Sequence, residues 1–150
     1  MGHIQLSRQA DVILVAPATA NIMSKIAYGN TDDLASTVLV ATNKPIIVAP
    51  AMNVRMWLNN ATQRNIQTLR NDGIKFVGPE NGEMTCGEYG EGRMSEPSEI
   101  IKYTHDFINS LDFKPLRDFS ALVTSCLLYT SPSPRDQRGS GMAACAGKKK

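Results

Sequence analysis

Two short apolar runs constrain this chain more than any other feature. Residues 11–16 (DVILVA) and 45–49 (PIIVA) are nearly continuous in apolar character, not alternating. A strand with that pattern is buried on both faces, the situation of a parallel sheet covered by helices. Both runs end in Ala-Pro, at Ala16-Pro17 and Ala49-Pro50. In open parallel sheets ligands bind beyond the carboxyl ends of the strands, so the segments after these prolines are where functional residues are expected.

The intervening segments read as helices. After Pro17-Ala18-Thr19-Ala20-Asn21, Ile22, Ile26 and Ala27 have helical spacing that stops at Gly29. A second helix is expected over 32–42, with Asp32 and Asp33 in its first turn, where acids complement the dipole. A third is expected over 56–69, ending at Asn71-Asp72-Gly73, followed by a short strand over 74–77. A last helix spans 96–111 by the spacing of Ile100, Ile101, Phe107, Ile108 and Leu111, with Pro97 suited to a first turn. Strands alternating with helices predict an α/β fold with a parallel sheet and flanking helices. Residues 78–94 (GPENGEMTCGEYGEGRM) have no apolar period and read as a mobile flap over a site.

The net charge of +2 would hint at nucleic acid, but its source is local. Five basic residues and one acidic residue follow position 125, so the body before it is slightly acidic. The tail over 126–150 is also where Cys126 and Cys145 lie, and its Ser-Pro and Gly-rich stretches read as disordered. Residues 126–136 (CLLYTSPSPRD) match a translated sequencing-library adapter, so the tail is expected to be artefactual. Cys86 is then the single thiol of the body, which excludes an intrachain disulfide or a multi-cysteine zinc site there; no metal is expected. No apolar run approaches a membrane span and no signal peptide opens the chain, so the expected compartment is the cytoplasm.

Three stretches carry a family resemblance. Pro17-Ala18-Thr19-Ala20-Asn21 resembles the Pro-Ala-Ser-Ala-Asn motif of cysteine-decarboxylating flavoproteins. Residues 50–57 (PAMNVRMW) match that family's Pro-x-Met-Asn-x-x-Met-Trp motif. Residues 82–94, with Cys86-Gly87 and Gly92-Arg93-Met94, resemble the substrate-recognition clamp of phosphopantothenoylcysteine decarboxylases. Residues 1–4 (MGHI) look like the segment carrying that family's active-site histidine. The likeness covers about residues 2–125.

The resemblance implies a Rossmann-like, flavodoxin-like flavoprotein domain whose N-terminal part is missing. Residues 1–115 would be the C-terminal part of the decarboxylase domain, and 116–125 a linker and the start of a truncated ligase domain, as in bacterial bifunctional enzymes. The activity implied is FMN-dependent decarboxylation of 4′-phosphopantothenoylcysteine to 4′-phosphopantetheine in coenzyme A biosynthesis, by a homotrimer or higher oligomer. Flavin accepts a hydride equivalent from the substrate thiol, the β-carboxylate of the resulting thioaldehyde leaves, and reduced flavin returns the electrons. A chain lacking the first part of the sheet is expected to be inactive alone, to bind flavin weakly and to expose apolar strand edges.

By the same resemblance, His3 is the acid/base, Asn53 holds the substrate carboxylate, and Cys86 protonates the enethiolate. Pro17, Thr19, Ala20, Asn21 and Met52 would contact the flavin. Thr19 and Asn21 precede a helix whose N–H groups favour a phosphate, and Thr19 is equally suited to simple N-capping. Ala51, Met56 and Arg93 join Asn53 on the substrate side, with Arg93 in clamp structure or on phosphate. His105 reads as structural or solvated. The alternatives are a related flavoprotein acting on peptidyl cysteine or prenylating flavin, and a non-catalytic regulatory member of the fold.

Overall fold

The computed structural model describes residues 2–84, 87–111 and 120–125. Its centre is a four-stranded parallel sheet in the order β3-β2-β1-β6, made of β1 (Val12–Ala18), β2 (Ile46–Pro50), β3 (Lys75–Phe76) and β6 (Ala121–Thr124). Register is set by Ile13 opposite Ile46 and Val15 opposite Val48. Both faces are covered, as the continuous apolar runs require. Ile13, Val15, Ile46 and Val48 face one core with Ile22, Met23, Leu39, Trp57, Ile66 and Leu69. Val12, Leu14, Ile47 and Ala49 face the other, against Ile100 and Ile108. Alternate residues of one strand thus serve opposite layers, which is why neither face tolerates polar positions.

The helices are α1 (Gly2–Gln9), α2 (Ala20–Tyr28), α3 (Leu34–Ala41), α4 (Val54–Leu58), α5 (Asn60–Asn71) and α6 (Pro97–Ser110). Thr19 caps α2 and Gly29 ends it in the left-handed conformation, with its N–H on the Ile26 carbonyl. Among the described residues no helix is long and apolar enough to cross a membrane.

Several expectations need correction. Asp32 and Asp33 do not lie in the first turn of α3: Asp33 is its N-cap, in a reciprocal pair with Ser36. Lys25 of α2 bridges Asp32 at 2.7 Å and also Asp33. Its hydrogen bonds to these two carboxylates raise the Lys25 pKa. The Lys25 contact, reinforced by the Ser36 N–H, lowers Asp33 to about 2. The helix expected over 56–69 is two helices, because Asn59 leaves helical geometry (φ −64°, ψ 133°) and caps α5 through the Ala61 N–H. Residues 78–94, read from sequence as a flap without apolar period, contain two paired strands. These are the antiparallel pair β4 (Glu80–Glu83) and β5 (Tyr89–Arg93), with Gly82 opposite Gly90.

Residues 121–124, assigned from sequence to the start of a further domain, run beside β1 from Val12↔Ala121 to Val15↔Thr124. Ser120 N–H bonds the Asp11 carboxylate and Asp11 N–H returns to the Ser120 carbonyl. On β6, an outer strand of the described sheet, Val123 is 60% exposed. The tail over 126–150, expected to be artefactual, lies outside the described residues.

Candidate functional site

The carboxyl ends of β1 and β2 lie side by side, and the two following segments are tied together by the Ala51 N–H on the Ala18 carbonyl at 3.0 Å. This is the edge of a parallel sheet where ligand sites form. From β1 the chain passes through Pro17 and Ala18 to Thr19, whose Oγ1 accepts from the Ile22 N–H at 3.3 Å. The first-turn N–H groups of α2 have no acceptor within the helix, so Ala20 and Asn21 present a local anion-favouring end, with Asn21 exposed.

From β2 the chain passes through Ala51 and Met52 to Asn53. Asn53 is the N-cap of α4, its Oδ1 accepting from the Arg55 N–H at 2.7 Å. Capping explains why Asn suits this position structurally, and it also fixes which way the amide points. The Asn53 Nδ2 donates to Glu88 Oε2 at 2.6 Å. Four residues on, the buried Trp57 donates its indole N–H to Glu91 Oε2 at 3.0 Å. Both acceptors belong to the hairpin.

The backbone of the hairpin approaches still closer. The Met52 N–H donates to the Gly92 carbonyl at 3.0 Å. A Cβ on Gly92, which has φ +138°, would lie 2.3 Å from the Met52 carbonyl oxygen. One on Gly90 would meet Val54 at 3.0 Å. Glycine is thus required where β5 lies against the segment 52–54, because any side chain would hold the two apart. At its other end the hairpin is rooted on α6. Arg93 pairs with Glu96 at 2.6 Å. Glu80 faces Glu99, and this contact raises the Glu99 pKa and lowers that of Glu80.

The residues expected from sequence divide accordingly. Pro17, Thr19, Ala20, Asn21, Ala51, Met52 and Asn53 all fall on the two segments at the sheet edge. Met52, expected against flavin, is 7% exposed and packs within the core that contains Trp57. Met56 is 49% exposed on α4. Arg93 is at the end of β5, engaged with Glu96 and lying under Gly82. His3 falls in α1, with nothing described of its side chain, and Cys86 lies outside the described residues. His105 is exposed on α6 beside Asn109. The sequence reading missed Glu88 and Glu91. The available signal was their spacing among the glycines of 87–92, which places acids on a strand that packs by backbone.

Comparison with known proteins bears on the family and the fold. The model of the family described as Flavoprotein matches residues 1–109. The coenzyme A biosynthesis bifunctional protein CoaBC of Vibrio vulnificus (strain YJ016) is 46% identical over 125 residues, covering 83% of this chain and 30% of the relative. The chain therefore spans about a third of the length of such relatives. Among solved structures, a cysteine-to-serine mutant of a PPC decarboxylase complexed with pantothenoylaminoethenethiol superposes with a TM-score of 0.71 at 40% identity, over 73% of this chain and 61% of that one. The FMN binding protein AtHal3 superposes at 0.69 with 41% identity, over 75% and 62%.

Proposed function

This chain belongs to the flavoprotein family, and on that premise we propose that it carries the substrate side of an FMN-dependent decarboxylase acting on 4′-phosphopantothenoylcysteine, within a protein that also bears a phosphopantothenate–cysteine ligase. The observation that carries the reading is the docking of the hairpin 80–93 on the segment 52–57. Two motifs about thirty-five residues apart in sequence are thereby joined at the carboxyl edge of the sheet.

The residues present fit a flavin phosphate and a carboxylate substrate by their chemistry. The α2 N-terminus offers N–H groups beside the Thr19 hydroxyl, suited to a phosphate, with Pro17, Ala20 and Asn21 around it. When bound, the flavin supplies the two-electron chemistry that neither Asn nor Cys has. Asn53 offers an oriented amide N–H to the substrate carboxylate, and Ala51 and Met56 border it. His3 acts as the acid/base, and Cys86 donates the proton that turns the enethiolate into product, a step suited to a thiol pKa near neutrality. Met52 reaches the flavin only by its small exposed part, so its main task is to hold β5 through its amide. Arg93 shapes the hairpin. The assembly is a cytoplasmic homotrimer or higher oligomer, with the site completed between subunits.

The test is a chimera in which residues 2–125 replace the matching segment of the Vibrio vulnificus bifunctional relative. With FMN it should decarboxylate phosphopantothenoylcysteine, and Asn53→Ala should lower turnover by about 100-fold, the scale for losing an oriented amide donor. A folded, flavin-loaded chimera without turnover would reject the proposal.

A further inference from the structure

Asn53 holds its amide in one orientation, because Oδ1 is committed to the Arg55 N–H at 2.7 Å. Nδ2 then faces the hairpin, where the Glu88 carboxylate accepts from it at 2.6 Å. The Glu88 side chain is 39% exposed, and the nearest cation, Arg55 Nε, stands 3.9 Å away on a side chain that is 89% exposed. Such an ion pair contributes little. The short bond to Asn53 is the principal contact of this carboxylate among those described.

The geometry points to Glu88 as an internal stand-in for the substrate carboxylate: it occupies the Asn53 donor in the ligand-free chain, and a ligand carboxylate must displace it. This rests on the assignment of Asn53 to the substrate carboxylate under the proposed function. A second carboxylate at the same amide nitrogen would stand beside the Glu88 charge and repel it, so entry of the ligand turns Glu88 outward.

The hairpin does not depend on Glu88 for its seat. The Met52–Gly92 backbone bond at 3.0 Å, the Trp57–Glu91 bond at 3.0 Å and the contact of Gly90 with Val54 hold it independently. Glu88 also precedes β5, next to Gly87 (φ +78°), and its carbonyl accepts from the Met84 N–H. Rotation of the side chain leaves that backbone bond in place. A ligand keeping the phosphate and pantothenoyl parts but lacking the carboxylate does not compete with Glu88. Glu88 therefore sets selectivity between substrate and product: it weakens binding of the carboxylate form and re-covers Asn53 once the carboxylate has left.

The experiment is calorimetric titration of the FMN-loaded chimera, carrying His3→Gln to block turnover, by 4′-phosphopantothenoylcysteine and separately by 4′-phosphopantetheine. Glu88→Ala is expected to bind the carboxylate ligand about fivefold tighter and the decarboxylated ligand unchanged, a shift of about 1 kcal/mol in the ratio. Glu88→Gln, which keeps an acceptor without the charge and guards against misfolding of the alanine variant, should shift the ratio about twofold. Glu91→Ala should raise acrylamide quenching of Trp57, the only tryptophan, and leave the ratio unchanged. An unchanged ratio in Glu88→Ala with clear binding, or an equal shift in Glu91→Ala, overturns the Glu88 assignment alone. Binding of neither ligand by wild type and both Glu88 variants overturns the substrate reading and this assignment with it.

Discussion

Replacing Gly92 by alanine should open the hairpin without unfolding the sheet. The methyl group would start 2.3 Å from the Met52 carbonyl oxygen, which is backbone and has no rotamer with which to yield. The φ of +138° at this position adds about 1–3 kcal/mol of strain for an L residue. Pushing β5 away also sacrifices the Met52 N–H bond to Gly92, worth about 0.5–1.5 kcal/mol net. Together these amount to about 2–4 kcal/mol directed at one local contact. Amide hydrogen exchange reads that contact at the Met52 N–H, where an opening equilibrium shifted this far accelerates exchange about 30- to 1000-fold. Exchange at Ile13 and Val48, inside the parallel sheet, should stay within a few-fold of wild type. Gly29→Ala is the control. It has φ +71° with nothing within 4 Å of the added carbon, so it should cost about 1–2 kcal/mol and leave Met52 exchange alone. Met52 exchange in Gly92→Ala within threefold of wild type would refute the claim that glycine is there to let the backbones meet.

Two further outcomes follow from the local chemistry. Thr19→Ala removes the cap on the Ile22 N–H and should lower stability by about 1 kcal/mol in urea unfolding, while Thr19→Ser restores it. The Lys25–Asp33 pair should shape the pH dependence of stability. Asp33 is lowered to about 2 in the folded chain, so its contribution is present above its unfolded pKa and is lost as pH falls from about 4 toward 2. Lys25 is raised, so its contribution is complete below its unfolded pKa and is lost only as pH climbs past it. Comparing Asp33→Asn with wild type by thermal melts at pH 2, 7 and 9 checks the acid limb, where the difference between the two should shrink.

The sheet was legible because its physics is written in side chains. Runs such as 12–15 and 46–49 have no other stable disposition than burial on both faces, and Gly29 stops α2 for the reason expected of a left-handed cap. The break at Asn59 was hidden because Trp57, Ile66 and Leu69 face the same core from two helices, so the apolar spacing reads across it. The hairpin was hidden for the opposite reason. It is held by glycine backbones and by acids on Asn53 and Trp57, interactions that leave no hydrophobic period. Asn53 stood out through its position after a strand–Pro exit. Glu88 and Glu91 did not, since an exposed-looking acid in a Gly-rich stretch reads as solvated until its partner is known.

The central claim is that the residues of this chain complete a cysteine decarboxylation, and product analysis of the chimera carrying Cys86→Ser tests it most directly. Phosphopantothenoylcysteine incubated with that variant should release one equivalent of carbon dioxide per site while the unsaturated thiol accumulates in place of phosphopantetheine. Formation of phosphopantetheine at the undiminished rate would contradict the role of Cys86, and absence of carbon dioxide from both the variant and its parent would contradict the decarboxylase reading as a whole.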